Sequence, residues 1–131
     1  MKTDIPTLLS SVRRIAVVGL SDNPWRTSCQ IAQSLIAYGY TVLPVNPKLS
    51  EWNGLPAYPD LASVPGPIDL VNVFRRSEFV SDIVDAAIAA GARAIWTQLD
   101  VVDYEAAARA EDAGLTVVMD RCIDIELARM R

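Results

Sequence analysis

The sequence contains no histidine, no C-x-x-C pair, no long apolar run and no excess of positive charge. Without histidine, the commonest general base is missing. The two cysteines, Cys29 and Cys122, have no zinc-ligand spacing and do not make a disulfide framework. No metal site is expected, and reduced thiols in a cytoplasmic protein are the default expectation. Met1 to Arg14 carry one short apolar patch and no signal-peptide pattern. No segment approaches the ~20 apolar residues of a membrane helix. With 12 basic against 16 acidic residues the net charge is -4, so the chain has no general attraction to nucleic acid or an anionic membrane, though a local basic patch would be compatible with it.

What is present is a core. The chain has 131 residues, 51% of them apolar, which suits a single domain over residues 1–131, with 1–13 as an N-terminal helix or extension. Four runs read as strands buried on both faces: Ile15 to Val18, Thr41 to Val45, Ile68 to Val73 and Leu115 to Met119. Ala92 to Trp96 is a fifth, less pure one. Between them lie helical stripes. Ile31, Ala32, Leu35 and Ile36 share one face, and Val80, Ile83, Val84, Ala87 and Ile88 share another. Ser77 is placed to cap the second of these helices, and Asp103 to cap a helix over Tyr104 to Ala113. Ile123 to Arg131 reads as a last helix.

Three helices run into glycine and then straight into a strand, at Gly39, Gly91 and Gly114. Glycine suits the left-handed residue that ends a helix. Repeated helix–glycine–strand units predict a doubly wound α/β fold, a parallel sheet between two helical layers. The proline-rich stretch from Asn46 to Gly66 breaks the rhythm. It leaves room for a short edge strand near Leu55 to Tyr58 and a helical turn near Asp60 to Val64. The expected strand order is 3-2-1-4-5-6, with the short strand third.

Ligands of such sheets bind beyond the carboxyl ends of the strands, where the strand order reverses. The loop Gly19 to Ser28 follows the first strand and leads into a helix whose free N–H groups attract anions. Gly19 permits close approach, Ser21 and Ser28 offer hydroxyls, and Arg26 offers a forked cation. This loop lacks the G-x-G-x-x-G fingerprint. After the second strand come Asn46, Pro47 and Lys48, where nicotinamide enzymes usually carry an acid for the ribose. A cation there suits a ribose phosphate, as in coenzyme A or NADP, or is simply a solvated lysine. Phe74 and Arg75 follow the strand across the crevice, as an aromatic wall and a phosphate cation, with Arg76 a weaker candidate. Gln98 follows the next strand, as a hydrogen-bonding wall residue. Cys122 precedes a helix start, a position that can activate a thiol, although a buried inert cysteine is the commoner case. Trp25, Trp52 and Trp96 read as packing residues, with Trp25 or Trp52 as an interface residue if exposed.

The motifs Ile15 to Ser28, Val45-Asn46-Pro47, Asp69 to Arg76, Trp96-Thr97-Gln98 and Val117 to Cys122, in that order, resemble the small stand-alone CoA-binding domain proteins of bacteria and archaea, relatives of the CoA-binding domain of succinyl-CoA synthetase α subunits. The resemblance runs from about Arg14 to Arg131. It implies a Rossmann-like fold that binds coenzyme A. It implies a phosphate-facing loop of Gly19, Ser21, Arg26 and Ser28. Asn46, Pro47 and Lys48 would then sit at the adenosine end, with Phe74, Arg75 and Gln98 along the ligand. The ligase relatives carry further domains and a phosphorylated histidine, which a chain without histidine lacks. The expectation is therefore binding of CoA or acyl-CoA without catalysis. The alternatives are an NADP-linked oxidoreductase or sensor, and a thiol-redox protein that uses Cys122 with CoA. A protein partner or self-association is compatible with each.

Overall fold

The computed structural model describes residues 3–130. Its frame is a five-stranded parallel sheet built from β1 (Arg14–Val18), β2 (Thr41–Val45), β5 (Leu70–Val73), β6 (Ala94–Thr97) and β7 (Thr116–Val118), in the order β2-β1-β5-β6-β7. Between β2 and β5 the chain forms a two-stranded antiparallel hairpin, β3 (Glu51–Trp52) with β4 (Leu55–Pro56). Asn53 and Gly54, both with positive φ, make its turn.

The helices are α1 (Ile5–Ser11), α2 (Thr27–Ala37), α3 (Val80–Ala89), α4 (Tyr104–Asp112) and α5 (Ile123–Arg129). The alternation of side chains along each strand divides the core in two. Ile15, Val17, Leu70 and Trp96 pack with residues of α1, α2 and α5 on one face. Ala16, Val71, Val73 and Ile95 pack with α3 and α4 on the other. Both faces are covered, so the strands are apolar almost throughout. Burying each large aliphatic side chain contributes about 1.5–3 kcal/mol. The result is the doubly wound, Rossmann-like three-layer fold, and no described helix is long and apolar enough to cross a membrane.

Two details differ from the sequence expectation. The short third strand does not join the sheet as a strand. Pro56 removes a ladder donor, and Leu55–Pro56 pair instead with Glu51–Trp52. Only Tyr58 reaches the sheet, in a single parallel bridge to Val45. The predicted third position thus survives as a bridge beside β2. Ser77 does not cap α3. It opens a one-turn 3-10 helix, Ser77–Phe79, and its hydroxyl accepts the backbone N–H of Val102 at 3.0 Å. Asp103 does cap α4, accepting Ala106 N–H at 3.0 Å, and Asp4 caps α1 through Thr7 N–H.

Candidate functional site

β1 is flanked by β2 on one side and by β5 on the other, so the strand order reverses between β1 and β5. The chain leaves β1 at Gly19 and β5 at Phe74, and these two exits lie side by side. Phe74 N–H donates to Val18 O at 2.8 Å, continuing the ladder past the strand ends. Gly19 has φ +86, and a Cβ built on it would lie 2.5 Å from Phe74 O and 2.9 Å from Arg75 Cδ. The sequence predicts that Gly19 lets its backbone approach a ligand; in the structure the absent side chain also makes room for the backbone of the neighbouring loop.

The loop after Gly19 is fixed by its own polar side chains. Ser21 N–H donates to Ser28 Oγ at 3.0 Å, Asn23 N–H to Ser21 Oγ at 3.0 Å, and Trp25 N–H to Asn23 Oδ1 at 3.0 Å. Two residues from the β2 side also hold it. Asn46 Nδ2 donates to Leu20 O at 2.9 Å, and Trp52 Nε1 donates to Ser21 O at 3.1 Å. Trp52 is therefore a buried clamp on this loop rather than an interface residue, whereas Trp25 is 85% exposed. The loop ends at Arg26, the N-cap of α2, and no side chain caps this helix. Gln30 N–H closes the first turn on Arg26 O at 3.1 Å, and the N–H groups of Thr27, Ser28 and Cys29 before it have no side-chain cap among the described residues.

Above the strand ends opens a cleft of about 600 Å³, lined by Gly19, Ser21, Arg26, Thr27, Ser28, Phe74, Arg75, Arg76, Gln98, Leu99, Val101 and Cys122. It gathers eight of the residues singled out by sequence, namely Gly19, Ser21, Arg26, Ser28, Phe74, Arg75, Gln98 and Cys122. Asn46, Pro47 and Lys48 are not among its walls. Asn46 serves the loop instead, bonding Leu20 O through Nδ2 and accepting Lys48 N–H at 2.8 Å through Oδ1. The lining adds Thr27, Leu99 and Val101, which are not among the candidates the sequence points to, and brings in Arg76. Thr27 had a signal, as the first residue of a helix after a strand. Leu99 and Val101 had none, since an apolar residue in a loop is unremarked by periodicity.

The electrostatics of the cleft run against those of the chain. The net charge is -4, yet the lining holds three arginines and no carboxylate. The Arg75 guanidinium lies over the Phe79 ring at 4.1 Å, and Arg76 pairs with Glu78 at 3.1 Å on an exposed surface. Stacking leaves the donor edge of Arg75 free for an anion. Arg26 forms no side-chain bond among the described residues. The helix dipole of α2 adds partial positive charge at the same wall.

The opposite wall is held by a hydrogen-bond network centred on two buried side chains, Trp96 and Thr97. Thr97 is fully buried; its Oγ1 donates to Val101 O at 2.7 Å and accepts Asp120 N–H at 3.0 Å. Asp120 Oδ1 accepts Asp100 N–H at 2.6 Å, and both aspartates have positive φ. Trp96 Nε1 donates to Arg121 O at 2.8 Å. These bonds lock the β6–α4 loop to the β7–α5 loop, and so set Gln98 against α5. Gln98 Oε1 accepts Ile123 N–H at 3.4 Å, and its Nε2 donates to none of the described residues. Cys122 is a half-buried free thiol, while Cys29 is buried in the core. No group of three or more metal-ligating side chains occurs among the described residues.

The family model described as "CoA binding domain" matches residues 13–128. The chain is 41% identical over 124 residues to the uncharacterized protein YneT of Bacillus subtilis strain 168, covering 95% of this chain and 92% of that one. It superposes on a hypothetical protein from Pyrococcus horikoshii OT3 with a TM-score of 0.93 and 36% identity, over 96% of this chain and 89% of the other. It is also similar to part of the dinucleotide-forming acetyl-coenzyme A synthetase 1 of Ca. Korarchaeum cryptofilum, with a TM-score of 0.73 and 29% identity. That match covers 83% of this chain but only 26% of the synthetase, so the chain corresponds to about a quarter of the larger enzyme. By fold, by the extent of the family match and by its similarity to small stand-alone proteins, this chain belongs to the CoA-binding domain family.

Proposed function

We propose that the protein binds coenzyme A or an acyl-CoA in the cleft above β1 and β5, and that it does so without a reaction of its own. The observation that carries this reading is the cleft lining. It has three arginines, no carboxylate and the uncapped N-terminus of an 11-residue helix, in a chain that is otherwise acidic. Such a site stabilises a diphosphate through charge-assisted hydrogen bonds and the helix dipole. The diphosphate would rest on Thr27 and Ser28 with Arg26 and Arg75 beside it. Gly19 and Ser21 would shape the loop behind it, and Phe74 and Gln98 would border the rest of the ligand. Asn46, Pro47 and Lys48 would serve the adenosine end from outside the cleft. The lack of histidine supports binding rather than a phosphohistidine reaction. The free thiols and acidic balance fit a cytoplasmic protein that does not engage nucleic acid.

The position of Cys122 in the same lining favours a second reading. Its thiolate would attack the disulfide of CoA disulfide, forming a Cys122–CoA mixed disulfide and releasing one CoA thiol. Intact-mass spectrometry after exposure to CoA disulfide tests it. An unmodified Cys122 sinks this reading and leaves the first standing.

Isothermal titration with CoA, acetyl-CoA, NAD and NADP tests the main proposal. Saturable CoA binding, tighter than that of either dinucleotide, is the expected result. No CoA binding at millimolar concentration by the folded protein contradicts it, and NADP binding tighter than CoA replaces it with a nicotinamide site.

A further inference from the structure

The central strand hides a polar side chain that the fold does not use. Asn72 on β5 is 0% exposed, and neither its Nδ2 nor its Oδ1 has a hydrogen-bond partner among the described residues. Buried carboxamides are nearly always bonded, and one left wholly unpaired calls for an explanation.

The strand register says where Asn72 stands. It pairs in register with Val17 of β1 and Trp96 of β6. Two residues further along each chain come Gly19, Phe74 and Gln98, all three of which line the cleft. Residues i and i+2 of a strand share a face, and two residues span about 7 Å. Asn72 therefore occupies the middle of the row directly beneath the cleft floor, on the face of the sheet where Val17, Trp96 and the half-buried Phe74 pack. In the row above, Gly19 contributes no side chain, so Phe74 and Gln98 are the covering groups.

We infer that Asn72 is a specificity residue for the neutral, amide-bearing part of the ligand, reached when Phe74 turns away and the cleft deepens by one row. A carboxamide presents one acceptor and a pair of donors. That is the complement of a secondary amide, which offers one N–H and one C=O. A carboxylate or ammonium at the same depth would face an uncompensated burial cost, so the lower row selects against charge. The cations and helix terminus hold the charged end of the ligand, and Asn72 reads the uncharged chain. This inference rests on the CoA reading of the cleft.

The test uses two probes, CoA and adenosine 3′,5′-bisphosphate, which lacks the amide chain. Asn72→Leu keeps the branched shape and the number of heavy atoms, at a larger volume, and removes the polar atoms. It is expected to weaken CoA binding about tenfold or more, to leave the bisphosphate unchanged, and to keep the thermal midpoint close to that of wild type, since no bond is lost and the removal of two unpaired polar atoms offsets the tighter packing. In 15N-labelled wild type, the Asn72 side-chain NH2 signals are expected to move on addition of CoA and to stay in place with the bisphosphate. This second measurement decides the matter even where the variant does not fold. Equal affinity of wild type and N72L for CoA, an equal loss for both probes, or unmoved Asn72 signals with CoA bound would overturn the inference while leaving the CoA reading intact. Wild type that binds neither probe overturns both.

Discussion

A Cβ on Gly19 would sit 2.5 Å from the carbonyl oxygen of Phe74, so the two loops that frame the cleft are joined where one of them has no side chain. The positive φ of Gly19 adds a second reason for glycine. Gly19→Ala is expected to lose about 2–4 kcal/mol of stability from the clash and the backbone strain together. It should also weaken CoA binding, because the β5–α3 loop that carries Arg75 must shift. Thermal denaturation and titration on one preparation check this; a variant with wild-type stability and affinity would refute the close packing of the two loops.

Arg26 and Arg75 are expected to act on binding far more than on folding. Arg26 makes no side-chain bond among the described residues, and Arg75 only stacks on Phe79. Replacing either with alanine removes a charge-assisted contact to the diphosphate, about 1.5–3 kcal/mol or roughly ten- to a hundred-fold in affinity. The thermal midpoint should stay close to wild type. Titration at two salt concentrations should show a smaller salt dependence for each variant than for the parent.

Thr97→Val is expected to loosen the far wall. It strips Val101 O of its donor and Asp120 N–H of its acceptor, both beside backbone with positive φ. A cost of about 1–3 kcal/mol follows from the groups left unpaired. Hydrogen exchange should accelerate at residues 98–102 and 119–122 ahead of the sheet. Uniform acceleration across the protein would contradict a local role.

Acid should weaken the fold through Asp69. Its carboxylate sits at the opposite end of the sheet from the cleft. It accepts Arg13 and Arg14 N–H through Oδ2, each at 2.9 Å, and faces Arg93 at 3.3 Å. Burial alone would push its pKa up, but the two backbone N–H groups and the Arg93 guanidinium outweigh burial and hold it below the usual carboxylate value of 3.8. A carboxyl with a lowered folded-state pKa contributes stability that is complete above its unfolded value and lost as pH falls through the folded one. Asp69→Asn should therefore lower stability at neutral pH and flatten the acid limb of the stability curve below about pH 4. An unchanged acid limb would show that other carboxylates control it.

Much of the fold was legible because it is written in local signals. The glycines at 39, 91 and 114 all have positive φ and each follows a helix, as their placement before apolar runs implies. Thr41 to Val45 is a strand with the bounds read from the sequence. The failures involve choices made over long range. Ser77 has the composition of a helix cap, but its hydroxyl is taken by Val102 N–H, 25 residues away. Leu55–Pro56 looks like a sheet edge until the turn at Asn53–Gly54 offers it a closer partner in Glu51–Trp52. Of the site, residues that directly follow strands were legible from position alone, as with Phe74 and Gln98. Leu99 and Val101 were not, because their place depends on the Thr97 network, and Asn72 was not, because a strand residue carries no mark of lying under a cleft.

In the proposed binding mode a CoA diphosphate rests on the N-terminus of α2 between Arg26 and Arg75. A crystal structure of the protein grown with CoA tests it most directly. Diphosphate oxygens are expected within hydrogen-bonding distance of the Thr27 and Ser28 backbone N–H groups and of both guanidinium groups. CoA bound elsewhere would contradict it, for example in the cleft of about 560 Å³ at the other end of the sheet lined by Thr7, Asp69 and Arg93.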